Sequence, residues 1–167
     1  MKRQRAVNLP PKTEPVERTP AANALSWLVV QVMQLNGLLA TAGDALAAPA
    51  GQTAARWQVL AAVEDAPMSV AQIARAMNLT RQSVQRVADL LVQDKLTAYE
   101  DNPAHLRAKL LRLTPKGSKA LHTIQAGQKI WANALAAHID ETQLRAASAV
   151  LGELHRVLVA QGVPEAD

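Results

Sequence analysis

Apolar residues recur at three- and four-residue spacing along most of the chain, which is the period of amphipathic helices. The first such stretch, ALSWLVVQVMQLNGLLATAG from Ala24 to Gly43, contains no charged residue. After a break at Pro49 and Gly51, residues 53–64 predict a second helix with Trp57 on its inward face. The pattern therefore predicts a mainly α protein whose first helix is largely apolar and uncharged.

Two longer helices are predicted in the last third of the chain. Thr114 and Pro115 are suited to the start of one that runs to about His138. A capping-box and hydrophobic-staple pattern from Ile139 to Leu144 begins the other, which Gly162 ends. We expect its apolar stripe to form a subunit interface, because a small central domain cannot cover three long apolar helices. The predicted interface residues are Leu144, Leu151, Leu154 and Leu158.

Between these regions the sequence predicts two short helices joined by a tight turn. Ser69 and Gln72 have the spacing of a capping box, which starts the first of them. Asn78 tolerates the left-handed conformation and is suited to end it. Thr80 then supplies the cap of the second helix. A short helix, a turn of about three residues and a second capped helix form a helix-turn-helix.

The second of these helices has two distinct faces. Val84, Val87, Ala88 and Leu91 share one arc, and the opposite arc carries Arg81, Gln82, Gln85, Arg86 and Asp89. Arginine and glutamine match the hydrogen-bonding edges of guanine and adenine, whereas a merely solvated face would more economically alternate Lys and Glu. The outer face therefore predicts a recognition helix for the DNA major groove.

Strand-like runs follow directly. Leu96 to Glu100 and Lys109 to Thr114 flank an Asn-Pro turn, which predicts a β-hairpin with Arg107 in its loop. A helix-turn-helix followed by a basic hairpin is a winged helix, whose wing can reach an adjacent minor groove or the DNA backbone. The alternative is a hairpin that only covers the core.

Charge and composition narrow the function further. The net charge is +4, and the excess of basic residues is confined to residues 1–20 and 80–116, as expected for a face that meets a polyanion. Residues 1–20 contain four prolines and no apolar period, which predicts a disordered basic arm. Cysteine is absent, so thiol catalysis, thiol redox sensing and cysteine-ligated zinc are excluded.

Neither a membrane protein nor an enzyme is favoured. Three amides, Gln31, Gln34 and Asn36, interrupt the apolar first helix at a depth where lipid offers no partners, so we expect no membrane span. The four histidines, His105, His122, His138 and His155, lie 16 or 17 residues apart and form no helical metal pair. Without a phosphate-binding glycine loop or a local catalytic motif, we expect no catalytic residue, no metal and no cofactor.

The ordered set Trp57-Gln58-Val59-Leu60, Ile73-Ala74, LTRQSVQRVADLL and NPAHLRAKLLRLTPKG resembles the multiple-antibiotic-resistance regulator (MarR) family of winged-helix transcription regulators. The resemblance covers about residues 21–162. It implies a homodimer held by first and last helices, with recognition helices in successive major grooves of double-stranded DNA. It also implies that a small apolar or phenolic effector releases DNA in many members. The implied DNA-binding residues are Ser69, Thr80, Arg81, Gln82, Ser83, Gln85, Arg86, Arg107 and Lys109.

Two positions depart from the family pattern. His105 stands where the wing usually carries an aspartate two residues before its arginine, so the wing is either looser or contacts phosphate through His105. Lys95 replaces the glycine that usually follows the recognition helix, and must adopt a left-handed conformation at a cost of about 1 kcal/mol or end the helix differently.

The sequence as a whole predicts a winged helix-turn-helix embedded in a helical dimerisation domain. Within a single domain of residues 21–167, residues 53–116 are the expected DNA-binding region, and residues 21–47 and 117–162 the expected dimerisation helices. We expect a cytoplasmic transcription regulator, a repressor, acting as a dimer on an inverted-repeat operator. The alternative is a winged-helix module that binds protein and not DNA.

Overall fold

A computed structural model describes residues 17–103 and 108–163. Its helices and strands follow the predicted order, and the mainly α fold with a small β wing is confirmed. The elements are α1 (Pro20–Ala47), a short 3-10 turn (Ala48–Ala50), α2 (Ala54–Ala62), β1 (Met68–Ser69), α3 (Val70–Met77), α4 (Arg81–Gln93), β2 (Thr97–Glu100), β3 (Leu110–Leu113), α5 (Pro115–Ala136) and α6 (Glu141–Ala160). The division into DNA-binding and dimerisation regions stays a prediction.

Side-chain caps fix where the helices begin. The predicted capping box is present at α3, where the Ser69 hydroxyl accepts from the Gln72 amide and the Gln72 side chain accepts from the Ser69 amide. At α6 the cap is Asp140 alone, whose carboxylate accepts from the backbone of Thr142 and Gln143. Four further helices start with a threonine hydroxyl that accepts a backbone N–H, namely Thr19, Thr53, Thr80 and Thr114.

The sheet has one strand more than the hairpin that the sequence predicts. β2 and β3 pair as expected, with Thr97 opposite Leu113, and β1 adds to the other edge of β3, with Met68 opposite Leu111. All pairs are antiparallel. Because Ser69 both ends β1 and caps α3, the sheet fixes the position of the helix-turn-helix relative to the wing.

The hydrophobic core lies under the helix-turn-helix. Val84, Ala88 and Leu91, on the predicted inner face of α4, are fully buried, while Val87 is half-buried. They pack with buried residues of α2, α3, β3 and α5, namely Leu60, Ile73, Leu111 and Leu121. This packing leaves the opposite face of α4 toward solvent.

Two non-glycine residues adopt left-handed conformations, and both end helices of the helix-turn-helix. Asn78 has a φ of 51°, as predicted, and Lys95 has a φ of 61°. Past α4, the Leu96 amide donates to the Leu91 carbonyl at 2.9 Å and the Lys95 amide to the Val92 carbonyl at 3.0 Å. This is the Schellman arrangement that a glycine usually closes. Lys95 therefore takes the glycine's conformation.

The terminal helices present apolar residues to solvent. Trp27 and Met33 on α1 are 72% and 71% exposed, and Ile130 on α5 is 73% exposed. Among the predicted interface leucines of α6, Leu154 is half-buried and the other three, Leu144, Leu151 and Leu158, are exposed. Exposed apolar surface of this extent is typical of a protein–protein interaction site.

The C-terminal end of α1 is anchored to the rest of the molecule. There Gly43 and Ala47 are buried, and the Asp44 carboxylate accepts from the amide of Ala54 at 2.7 Å. By length and composition alone, the stretch Pro20–Ala50 is also long and apolar enough to cross a membrane. The same exposed face suits packing against a second protein helix.

Candidate nucleic-acid interface

The outer face of α4 carries the side chains that the sequence predicts there. Arg81, Gln82, Gln85, Arg86 and Asp89 are all exposed. At the start of the helix, Thr80 and Ser83 are exposed too, but their hydroxyls are engaged. The Thr80 hydroxyl accepts from the Ser83 amide at 3.2 Å, and the Ser83 hydroxyl donates to the Thr80 carbonyl at 2.8 Å. These two residues shape the start of the helix, and the arginines and glutamines project from it.

Among the described residues, the arginines of the helix-turn-helix have no acidic partner. Four others form ion pairs, namely Arg56 with Asp94, Arg112 with Glu100, Arg145 with Glu141 and Arg156 with Glu153. Within residues 17–103 and 108–163, no carboxylate pairs with Arg75, Arg81, Arg86 or Lys109. Their charge is therefore available to an external anion.

One groove brings together predicted residues from three elements. Its volume is about 270 Å³, and it lies between the start of α3, the outer face of α4 and the wing strands. Ser69, Arg81, Gln85 and Lys109 line it, together with Tyr99. Ser69 is only 8% exposed, and its hydroxyl donates to the Gln72 side chain at 2.7 Å. The other predicted wing residues, His105 and Arg107, lie outside the described residues.

Tyr99 is the functional candidate that sequence reasoning missed. Its hydroxyl donates to Asp89 Oδ1 at 2.9 Å, and Gln85 Nε2 donates both to that hydroxyl at 2.8 Å and to Asp89 Oδ1 at 2.9 Å. Burial, the hydrogen bond to Asp89 and the Asp89 charge raise the pKa of Tyr99 to about 12, against a smaller opposing effect of Gln85. The wing strand β2 and the recognition helix are thus joined at a side chain that was predicted to read bases.

The only sequence signal for this contact was the single tyrosine of the chain, placed in a predicted wing strand. Amphipathic periodicity shows which face of α4 is exposed, but it does not show which exposed residues a strand approaches.

The end of α4 is fastened to two neighbouring helices. The Arg56 guanidinium of α2 binds the Asp94 carboxylate and donates to the Leu90 carbonyl at 3.4 Å. Lys116 Nζ of α5 donates to the Asp94 carbonyl at 2.9 Å. The hydrogen bond from Arg56 holds the pKa of Asp94 below its usual value. Helix α4 therefore has a fixed orientation relative to α2 and α5.

A separate cavity lies between α1 and α2. Its volume is about 710 Å³, and its lining includes Leu39, Trp57 and Met77 as well as the polar Asn36 and Gln58. The cavity is thus lined by α1, by α2 and by Met77 of α3, and it does not include the outer face of α4.

The comparisons with known proteins agree with this geometry. Residues 50–108 match the model described as MarR family. An uncharacterized protein of Mycobacterium tuberculosis (strain ATCC 25618 / H37Rv) is 39% identical over 139 residues, which cover 83% of this chain and 95% of that protein.

Solved structures share the fold. A MarR family transcription regulator superposes with a TM-score of 0.74 at 20% identity, covering 85% of this chain and 95% of that one. A mutant MarR from E. coli complexed with operator DNA gives a TM-score of 0.71 at 17% identity, with 81% and 99% covered. CouR from Rhodococcus jostii RHA1 bound to p-coumaroyl-CoA gives 0.69 at 17% identity, with 76% and 90% covered. By its family model, its fold and the order of its motifs, the chain belongs to the MarR family of winged-helix transcription regulators.

Proposed function

We propose that this protein is a cytoplasmic repressor that binds an inverted-repeat operator as a homodimer, with α4 of each protomer in a major groove. The observation that carries the proposal is the outer face of α4, where exposed Arg81 and Arg86 have no acidic partner among the described residues. Exposed arginines without a carboxylate partner keep their positive charge for an external anion, and double-stranded DNA is such a polyanion.

The described side chains fall into two groups by chemistry. Gln82 and Gln85 are uncharged and exposed, so they discriminate bases but release no counterions from DNA. Arg81, Arg86 and Lys109 offer positive charge, which anchors phosphates and makes binding salt-dependent. Arg107, expected in the wing loop from the sequence, belongs to the second group. Thr80, Ser83 and Ser69 hold the backbone that positions both groups.

The dimer is supported by the apolar surface that one protomer leaves uncovered. The exposed apolar residues lie mainly on α1 and α6, the first and last helices, and Leu151 and Leu158 belong to the α6 stripe. A second copy of the chain offers the same apolar faces, so the surface can be self-complementary. Because two half-sites must be read together, this interface also sets the spacing of the two α4 helices.

A salt titration on two DNAs tests the division of roles. We expect Gln85→Ala to narrow the gap between a duplex from upstream of the coding frame and a random duplex by roughly 1 to 3 kcal/mol, with the slope of log affinity against log salt unchanged. Lys109→Ala and Arg107→Ala should weaken binding to both duplexes by similar factors. Each should also lower that slope by about one for each phosphate that the variant no longer neutralises. Gln125→Ala and Lys129→Ala on α5 are matched controls and should leave both duplexes unaffected.

The outcomes separate the two candidate functions. Two results would show that base reading and phosphate anchoring are assigned to the wrong residues. One is that Gln85→Ala weakens binding to both duplexes equally, and the other is that Lys109→Ala abolishes only the preference for the upstream duplex over the random one. If the wild-type protein binds neither duplex, DNA binding is refuted and a protein-binding winged helix becomes the better interpretation.

We also propose that a small apolar or phenolic effector binds the cavity between α1 and α2. Trp57 lines that cavity, whereas Trp27 and Met33 are largely exposed on α1. Two similar structures carry small ligands, p-coumaroyl-CoA in CouR and salicylate with kanamycin in a Staphylococcus aureus MarR. Salicylate should weaken DNA binding by the wild type and have less effect on Trp57→Ala. Equal effects on both proteins would exclude this cavity.

A further inference from the structure

The side-chain amide of Gln85 is held in one orientation by two neighbours. Gln85 Nε2 lies 2.8 Å from the Tyr99 hydroxyl and 2.9 Å from Asp89 Oδ1, and those two oxygens lie 2.9 Å from each other. The three groups thus form a closed triangle beside the groove between α4 and the wing. Arg81 and Lys109 line the same groove.

Proton counting decides which end of the amide faces this triangle. The Asp89 carboxylate has acceptors only, so the Tyr99 hydroxyl must donate its single proton to it. Having donated that proton, the hydroxyl can only accept from Gln85. A carbonyl oxygen of Gln85 placed there would meet two acceptors without a proton between them. The nitrogen end must therefore face inward, and the carbonyl oxygen, Oε1, must face away from the triangle.

We propose that Gln85 reads DNA through its carbonyl oxygen alone, and that Tyr99 and Asp89 are the positioning residues that impose this. The inference rests on the proposed function, since it assumes that α4 enters a major groove. An unrestrained glutamine recognises adenine with both ends of its amide, donating to N7 and accepting from the N6 amino group. A glutamine that offers only an acceptor recognises an amino group, which adenine and cytosine both present in the major groove.

The consequence is a defined degeneracy at one base in each half-site. Adenine and cytosine should both be accepted there, because each offers an amino donor. Guanine and thymine should be rejected, since they present acceptors to the Gln85 oxygen. Removing the Asp89 carboxylate leaves the Tyr99 hydroxyl free to donate to Gln85 or to accept from it, so the amide can turn and an Asp89→Ala variant should also tolerate guanine or prefer adenine over cytosine.

Selection from a library of random duplexes measures this preference without knowledge of the operator. The wild-type dimer should enrich sites with adenine or cytosine at one symmetric pair of positions. Gln85→Ala should lose the preference at that pair and keep it elsewhere, and Asp89→Ala should change it at the same pair. Gln125→Ala removes a glutamine whose amide binds Glu64 on another part of the molecule, so it should select the wild-type site.

A second measurement uses the selected duplex with one amino group deleted. Replacing the selected adenine by purine, or the selected cytosine by pyrimidin-2-one, should weaken wild-type binding by about 5- to 10-fold per half-site, the effect of one hydrogen bond. The same replacement should leave the affinity of Gln85→Ala unchanged. Circular dichroism of each variant confirms that α4 is folded.

Three results would overturn the inference. Selection of guanine or thymine at the Gln85-dependent position would show that Gln85 donates. An Asp89→Ala variant that selects the wild-type site would show that Asp89 and Tyr99 do not position the amide. Both results leave DNA recognition by α4 intact. If the wild type enriches no sequence at all, the proposed function itself fails and this inference fails with it.

Discussion

Gly117 occupies a place in α5 where no side chain fits. It is buried in the first turn of the helix, and its amide donates to the Thr114 cap at 3.1 Å. A Cβ added there would lie 1.9 Å from the Leu96 carbonyl oxygen and 3.2 Å from Cδ2 of Leu113. The first of these neighbours is backbone at the start of the wing, which cannot rotate away. Gly117→Ala therefore requires α5 and the wing to separate.

The cost follows from what that separation breaks. An ordinary C···O contact is about 3.3 Å, so the two segments must move apart by roughly 1.4 Å. Two hydrogen bonds cross the same junction: the Thr114 amide donates to Leu96 O at 3.1 Å, and the Thr114 hydroxyl donates its single proton to Lys95 O at 2.7 Å, with Leu96 O also near it at 3.0 Å. At about 1 kcal/mol each, breaking them costs about 2 kcal/mol. The helical preference of alanine over glycine returns roughly 0.5 to 1 kcal/mol.

Urea unfolding followed by circular dichroism, at one fixed protein concentration, should thus show Gly117→Ala destabilised by about 1 to 1.5 kcal/mol. Gly127→Ala is the matched control, because it lies in the same helix and its added Cβ would only touch Leu46 Cδ2 at 3.9 Å. It should be as stable as wild type or gain up to about 1 kcal/mol. A Gly117→Ala protein within about 0.5 kcal/mol of wild type would refute the argument, since such a difference is normal for a neutral surface change.

Other changes probe the interface, the wing junction and the network. Leu154→Glu should give a monomer or aggregate by sedimentation and abolish tight DNA binding, since burying a leucine contributes roughly 1.5 to 3 kcal/mol; a wild type that is monomeric while tightly DNA-bound would contradict this. Lys95→Gly should stabilise the fold by about 1 kcal/mol in urea, because Lys95 has a φ of 61°, and an unchanged midpoint would argue against strain. The folded-state pKa of Tyr99 is raised to about 12, so its contribution to stability is fully present below its ordinary value of about 10 and is lost as pH rises toward 12. Wild type should therefore lose stability faster than Tyr99→Phe between those pH values, and parallel curves would contradict the network.

Local chemistry made the helix-turn-helix predictable. Ser69 and Thr80 cap helices because their hydroxyls replace missing backbone partners, and such a signal is complete within four residues. The buried Val84 and Leu91 followed equally from helical periodicity. The left-handed Lys95 could be narrowed to two alternatives from the family pattern, and its φ of 61° decides between them.

What the sequence could not provide is pairing between distant segments. β1 has two residues and forms a strand only because Leu110 and Leu111 of β3 lie beside it, more than forty positions along the chain. The Tyr99 network likewise depends on how closely β2 approaches α4. Periodicity assigns a residue to a face, whereas these contacts depend on the packing of several elements at once.

The core that supports α4 is separate from the terminal helix α6, and this separation affects DNA binding. The buried cluster under α4 is built from α2, α3, α4, the wing strands and the start of α5, and among the described residues none of its members comes from α6. The clamp of Arg56 and Lys116 on the end of α4 lies within the same region. A variant such as Leu154→Glu should therefore keep α4 folded and its outer face intact while losing the second protomer. Because a monomer engages one half-site and gains nothing from the second, its affinity should fall steeply although each base contact is intact. Loss of the α4 fold in that variant would show instead that the apolar terminal helices stabilise α4 directly.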